Sequence, residues 1–271
     1  MPLLRAGEIE LDYERRGSGP PLLMIMGMSG TTLHWGEPFL SELAEQFELI
    51  LYDHRGVGSS SRLQGDLTIA QMADDAAALL AALELDSAHV LGISMGGMIA
   101  QELALAHPDR VRTLTIGCSY CGGEGSALTA PEVLQRLTEG MLSGDRERAV
   151  RASWEANVSA AMATDADAYA RFQAIAARRA VAVPVIMAQM QACSDHDTYA
   201  RLAQLSMPTL VIHGSEDEML AVHNGQLLAS RIPGSRLEIL DDLGHLFFWE
   251  RPELAAELIR THAACLPTLT P

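Results

Sequence analysis

The chain has 271 residues, a hydrophobic share of 48% and a net charge of −16. Length and composition fit a single α/β domain with a sizeable core and exclude a disordered chain, while the acidic balance argues against nucleic acid and anionic membrane surfaces, which select cationic partners. All 19 basic residues are Arg, which removes a Schiff-base lysine and a phosphate-loop lysine from the candidate chemistry.

No apolar run reaches the roughly 18 residues of a membrane-spanning helix. The stretch Met1-Pro2-Leu3-Leu4-Arg5-Ala6-Gly7-Glu8 lacks the apolar core of a secretory signal. Four Cys in this length do not make a disulfide framework. The expectation is a soluble cytoplasmic protein with neither membrane nor nucleic acid as partner; its oligomeric state is not legible.

Residues 1–16 read as a hairpin about Gly7-Glu8, with alternation at Ile9, Leu11 and Tyr13. After the turn Gly17-Ser18-Gly19-Pro20-Pro21, the run Leu22-Leu23-Met24-Ile25-Met26 has no alternation, as in a strand buried on both faces. A helical segment is expected over residues 33–46, a strand over 47–52, and a helix over 69–83 with Thr68 as N-cap. A strand over 89–93, a helix over 95–106 and a strand over 111–116 follow. The pattern resumes with a strand over 209–213, a helix over 222–232, a strand over 236–240 and a helix over 252–264. Strands alternating with helices predict a mostly parallel sheet covered on both faces.

Residues 122–203 interrupt this pattern. They show helical periodicity without a convincing strand, and breaks at Gly140, Ser143-Gly144-Asp145, Thr164-Asp165 and Pro184 predict about four helices. The expected organisation is a core formed by residues 1–121 and 204–271, with 122–203 inserted as a helical cap, or lid, over the strand ends. Ligands bind at those ends in such sheets.

Gly92-Ile93-Ser94-Met95-Gly96, followed by Gly97, matches G-x-S-x-G between an apolar strand and an amphipathic helix. Small residues two before and two after let the backbone fold tightly, and the helix N-terminus brings N–H groups toward developing negative charge. Ser94 is therefore the candidate nucleophile. It needs a base, and the base needs an orienting carboxylate. His245, just past the last strand in Leu243-Gly244-His245-Leu246, is the candidate base. Asp217, in Ser215-Glu216-Asp217-Glu218 after another strand, is the candidate acid, with Glu124 as a weaker alternative. His213, His54 and His107 read as structural: a strand end, a turn and a helix end. For the oxyanion, the N–H of Met95 is one donor and that of Met28, beyond Gly27, the other.

These segments together resemble the α/β-hydrolase fold, in its capped serine esterase, lactonase and haloperoxidase-like group. The carriers are Met26-Gly27-Met28, the segment Asp53-His54-Arg55-Gly56-Val57-Gly58-Ser59-Ser60, Gly92 to Gly97, His213-Gly214-Ser215-Glu216-Asp217, and Gly244-His245 ahead of Glu250-Arg251-Pro252. The family often has His where Met26 stands. The resemblance implies a structural role for the Asp53–Ser60 segment, a Ser-Asp-His catalytic set without cofactor or metal, and an acyl-enzyme route where related dehalogenases and epoxide hydrolases use Asp as nucleophile.

Gly27, Met98, Met141, Met162, Met187, Met190, Met219, Leu246 and Phe247 are candidates for an apolar acyl pocket, and Arg178-Arg179 reads as a solvated face. Cys118, Cys121, Cys193 and His196 lie near the two ends of the interruption, and the sequence leaves open whether they meet. The expected function is hydrolysis of small carboxylic esters or lactones with a modest apolar acyl part, N-acyl homoserine lactones and enol-lactones included. A cofactor-free perhydrolase and a C–C bond hydrolase would share the triad. A non-catalytic small-ligand receptor on the same fold is the alternative from another class.

Overall fold

The computed structural model describes residues 2–265; Met1, the first residue of the expected hairpin, and residues 266–271, at the end of the expected core segment, lie outside the described residues. Strands β1 (Leu3–Ala6) and β2 (Ile9–Gly17) form the antiparallel hairpin about Gly7-Glu8. β2 then pairs antiparallel with β4 (Glu48–Tyr52). From there the sheet is parallel through β3 (Pro21–Ile25), β5 (Ala88–Ile93), β6 (Val111–Gly117), β7 (Thr209–Gly214) and β8 (Arg236–Leu240), in the order β1-β2-β4-β3-β5-β6-β7-β8. This is an α/β-hydrolase-type sheet. The chain leaves β3 toward β4 on one side and returns to β5 on the other, so the crevice at a reversal of strand order, where such sheets bind ligands, opens at the carboxyl ends of β3 and β5.

The absence of alternation in β3 has its physical cause in two cores. Leu23 and Ile25 pack with α2 (Ile69–Ala82) and α3 (Met95–Ala106), whereas Leu22 and Met24 pack with α1 (Glu37–Ala44) and α11 (Pro252–Ala264). Removing such a side chain forfeits about 2–5 kcal/mol. Thr68 caps α2 as predicted: its hydroxyl accepts from Gln71 N–H at 3.1 Å, and the Gln71 carboxamide accepts from Thr68 N–H at 3.0 Å.

Several boundaries differ from the sequence reading. The helix expected over residues 33–46 is two pieces, a 3₁₀ turn at Thr32–Trp35 and α1, separated by Gly36 at φ 75°. Between β6 and β7 there are five helices rather than about four: α4 (Pro131–Leu142), α5 (Arg146–Asn157), α6 (Ala160–Ala163), α7 (Ala166–Arg178) and α8 (Val183–Ser194). Gly140 does not break α4; a Cβ there would stand 3.1 Å from Ala152 Cβ, so its smallness lets α4 and α5 approach. Helix α9 (His223–Arg231) is shorter than expected, and α10 (Phe247–Glu250) was not expected. Among the described residues no helix is long and apolar enough to cross a membrane.

The inserted helices are tied to the sheet by packing and by charge. Trp154 of α5 and Tyr169 and Phe172 of α7 form a small aromatic core against Leu246 and Trp249. Arg179 is not a solvated cation. Its guanidinium lies 2.5 Å from Asp53 and 3.1 Å from Asp12, both buried. Two buried carboxylates with no cation would be costly, so this contact holds the end of α7 down.

Burial also sets the response to acid. It pushes the imidazoles of His34, His89 and His196 down to about 4 each, against an unfolded value of 6.5. The lowered histidines contribute stability that is present above 6.5 and lost as pH falls toward 4, at about 1.4 kcal/mol per pH unit and per group. Asp53, raised by burial against the pull of Arg179, works in the opposite sense, but as one group against five, because burial lowers His54 and His262 as well. The midpoint of thermal unfolding should therefore drop steadily between pH 6.5 and pH 4; a flat profile across that window would contradict the neutral burial of these imidazoles.

Candidate active site

Ser94 sits between β5 and α3 at φ 59° and ψ −122°, a conformation that L residues rarely adopt. Its flanking glycines are required by space. A Cβ on Gly92 would stand 2.1 Å from Gly96 O, and one on Gly96 would stand 2.0 Å from Ile25 O. The strained turn is fixed on both sides of the peptide, with Ser94 N–H donating to Gly117 O at 2.9 Å and the Ser119 hydroxyl donating to Ser94 O at 2.8 Å. Strain of this kind costs about 1–3 kcal/mol and persists where the surroundings over-determine it.

The loop after β3 runs past this turn. A Cβ on Gly27 would stand 3.1 Å from Ser94 Cβ and 3.7 Å from Ser94 Oγ. His54 Nε2 donates to Met26 O at 2.8 Å, and burial lowers this imidazole, so a neutral ring braces the loop from below. No hydrogen bond among the described residues takes up the N–H of Met28 or of Met95. The residues that directly follow Gly27 and Ser94 thus each carry an unengaged backbone donor.

Asp217 and His245 come from the loops after β7 and β8, at the same edge of the sheet, and are 7% and 3% exposed. His245 Nδ1–H donates to Asp217 Oδ2 at 2.7 Å, which leaves the Nε2 lone pair as the acceptor. Asp217 Oδ1 accepts from Leu220 N–H at 2.9 Å. Burial alone would raise the Asp217 carboxyl, but the facing His245 and His213 outweigh it and hold this carboxyl well below the usual carboxylate range. Glu124, the alternative acid, is exposed.

Four residues at or near this site were read otherwise or passed over. His213 is fully buried and its Nε2–H is shared between Leu220 O at 2.7 Å and Asp217 Oδ2 at 3.1 Å. Glu250 accepts from Gly244 N–H at 2.8 Å and from Ser159 N–H at 3.0 Å, joining the His245 loop to the start of α6. Gln189 and Arg179 reach the core from the inserted helices. The local signals were the spacing of His213 four residues before Asp217 and of Glu250 six after Gly244; Gln189 and Arg179 act across long separations.

Of the expected pocket residues, Gly27 borders Ser94. Met98 and Phe247 are 2% and 0% exposed and pack inside the two cores, with the Phe247 ring against Gly117. Met162 and Leu246 flank the aromatic core. Met141, Met190 and Met219 are partly buried, and Met187 is 49% exposed on α8. Cys118, Cys121, Cys193 and His196 together form no metal-holding group among the described residues. The Cys118 thiol, raised by burial, lies near Asp217 and His245, and this is the one grouping of three metal-capable side chains among the described residues.

A family model described as alpha/beta hydrolase fold matches residues 20–252. The chain is 32% identical to a protein of Azorhizobium caulinodans provisionally named the carbamate hydrolase RutD, over 96% of this chain and 97% of that one. It is 29% identical to the pimeloyl-[acyl-carrier protein] methyl ester esterase of Aeromonas hydrophila, over 93% and 98%. Among solved structures, Est816, described as an N-acyl homoserine lactone degrading enzyme, superposes with a TM-score of 0.75 at 31% identity, covering 96% of this chain and 99% of that one.

Proposed function

The chain belongs to the α/β-hydrolase family, and from that premise we propose that it is a serine hydrolase of small carboxylic esters or lactones with a modest apolar acyl part. The observation that carries this reading is the buried Asp217–His245 hydrogen bond of 2.7 Å at the sheet edge where Ser94 occupies its strained turn. Family membership with esterase and lactonase relatives supports a hydrolase of esters or lactones; the residue roles are inferred from the geometry.

In this reading Ser94 Oγ attacks the carbonyl carbon and its proton passes to His245 Nε2. Asp217 keeps the imidazole in the Nδ1–H tautomer and stabilises the imidazolium. The negative oxygen of the tetrahedral intermediate accepts from the N–H groups of Met28 and Met95. The bond to the leaving oxygen then breaks, His245 returns the proton to it, and Ser94 carries the acyl group. Water, deprotonated by His245, attacks the acyl-enzyme and releases the acid and Ser94. Residues 122–203 act as a cap domain that closes over the acyl group, and no cofactor or metal takes part.

A second reading, carbamate hydrolysis, is favoured by the 32% identity to the Azorhizobium protein. The chemistry would be the same, with nitrogen next to the attacked carbonyl. A panel of p-nitrophenyl acetate, butyrate and octanoate, γ-lactones and an N-alkyl carbamate separates the readings. Highest kcat/KM is expected on a short- or medium-chain ester or a lactone. Preference for the carbamate by tenfold or more would reverse the order of the two readings. No turnover on any member, with saturable binding of one, would point to a receptor.

A further inference from the structure

Helix α8 lies across the carboxyl ends of several strands. Val185 packs on Gly56 in the loop after β4, and the Tyr120 hydroxyl, after β6, donates to Cys193 O. Between these contacts Gln189, fully buried, reaches the loop after β3. Its Oε1 accepts from Ser29 N–H at 2.9 Å. That bond fixes the orientation of the carboxamide, because an N–H cannot donate to an NH₂ group. The Gln189 Nε2 therefore presents two N–H donors in a buried place, and neither has a partner among the described residues.

Buried amide donors are almost always paired, and an unpaired one is costly where an apolar side chain of the same shape would not be. Ser29 is two residues beyond Gly27, which faces Ser94. The unpaired donor thus belongs to a carboxamide anchored on the loop that runs past Ser94. A partner supplied by the substrate would be engaged only when the site is filled. The acceptor is best neutral: the chain carries a charge of −16, and Arg179, the cation nearest in sequence to Gln189, is held by Asp12 and Asp53.

We propose that Gln189 Nε2–H donates to a second, neutral carbonyl oxygen of the substrate, so that the preferred substrates are esters or lactones bearing a ketone or amide oxygen near the scissile bond. The proposal rests on the serine-hydrolase reading given above. Gln189 reads the substrate with one end of its carboxamide and positions the Met28–Ser29 loop with the other.

The two roles separate kinetically. Loss of the grip on Ser29 lowers kcat for every substrate alike, whereas loss of the donor lowers kcat/KM only where the second carbonyl is present. Two matched pairs serve as probes: p-nitrophenyl 4-oxopentanoate against p-nitrophenyl pentanoate, and 2-oxopropyl acetate against 2-methylpropyl acetate. Each is measured with the native chain, Gln189→Glu and Gln189→Met, with unfolding midpoints to confirm folded variants. The ratio of ketone to plain ester, divided by the same ratio for the native chain, cancels the intrinsic reactivity of the ketone ester. In at least one pair this double ratio should fall about tenfold. A double ratio that stays within threefold of unity for both pairs in both folded variants overturns the role of Gln189 and leaves the hydrolase reading standing. A native chain that turns over no member of either pair, or Ser94→Ala that turns them over as fast as the native chain, removes the hydrolase reading and this inference with it.

Discussion

Replacing Ser94 by Ala is expected to lower kcat on the best ester of the panel by about 10⁴- to 10⁶-fold, with KM changed much less. The reason is local. Ser94 Oγ is the only side-chain oxygen of the strained turn between β5 and α3, and removing it leaves the two free N–H groups, the imidazole and the contacts of the inserted helices in place. The residual rate should be that of a site which binds and polarises the carbonyl without attacking it. A variant that kept more than a tenth of the native kcat would rule out the acyl-enzyme route. Stability gives a second readout. Alanine keeps the Cβ and so the strain of φ 59°, and the unfolding midpoint should barely move. Glycine relaxes about 1–3 kcal/mol of strain and loses about 0.4–1 kcal/mol through its freer unfolded chain. Ser94→Gly should therefore be equally inactive and slightly more stable, as expected where a fold holds a strained backbone for the sake of chemistry.

What could be read from the sequence divides along physical lines. Local patterns were legible. The continuous apolar run of β3 meant burial on both faces, Thr68 with Gln71 meant a capped helix, and the glycines around Ser94 meant a tight strand-to-helix turn. The loops carrying Asp217 and His245 could be placed at one sheet edge because strands and helices alternate with so few exceptions. What could not be read depends on contacts made through space. Arg179 looked like a solvated cation because nothing near it in sequence reveals Asp12 and Asp53, 167 and 126 residues away. Gln189 meets Ser29 across 160 residues, and Glu250 meets Ser159 across 91. His213 resembled any histidine at the end of a buried strand, and only the fold of the next loop brings Asp217 back onto it. The pocket expectations rested on hydrophobicity alone: Met98 and Phe247 pack in the two cores, and composition does not separate core from pocket lining.

The His213 contact sharpens the expectation for Asp217→Asn. Asp217 Oδ2 accepts from two imidazoles, His245 Nδ1–H at 2.7 Å and His213 Nε2–H at 3.1 Å, while Oδ1 takes Leu220 N–H at 2.9 Å. An asparagine can satisfy Leu220 only by turning its NH₂ group toward both rings. It then donates to His245 Nδ1, which drives the proton to Nε2 and removes the lone pair that must accept from Ser94. It also meets the His213 N–H donor head on. Turning the amide the other way restores both imidazole bonds and leaves the NH₂ group against Leu220 N–H. Either way one buried donor faces another; in the orientation that keeps Leu220 satisfied, kcat should fall about 10⁴-fold through the wrong tautomer. The stability loss should also depend on pH with a definite sign. A carboxyl held below its ordinary value contributes stability above the unfolded value of 3.8 and loses it as pH falls below that value. The gap in unfolding free energy between the native chain and Asp217→Asn should be widest near neutral pH and close on acidification below about 4. A gap that stays constant down to pH 3, or a variant retaining more than a tenth of the native kcat, would mean that Asp217 is neither the ionised partner of His245 nor its orienting acid.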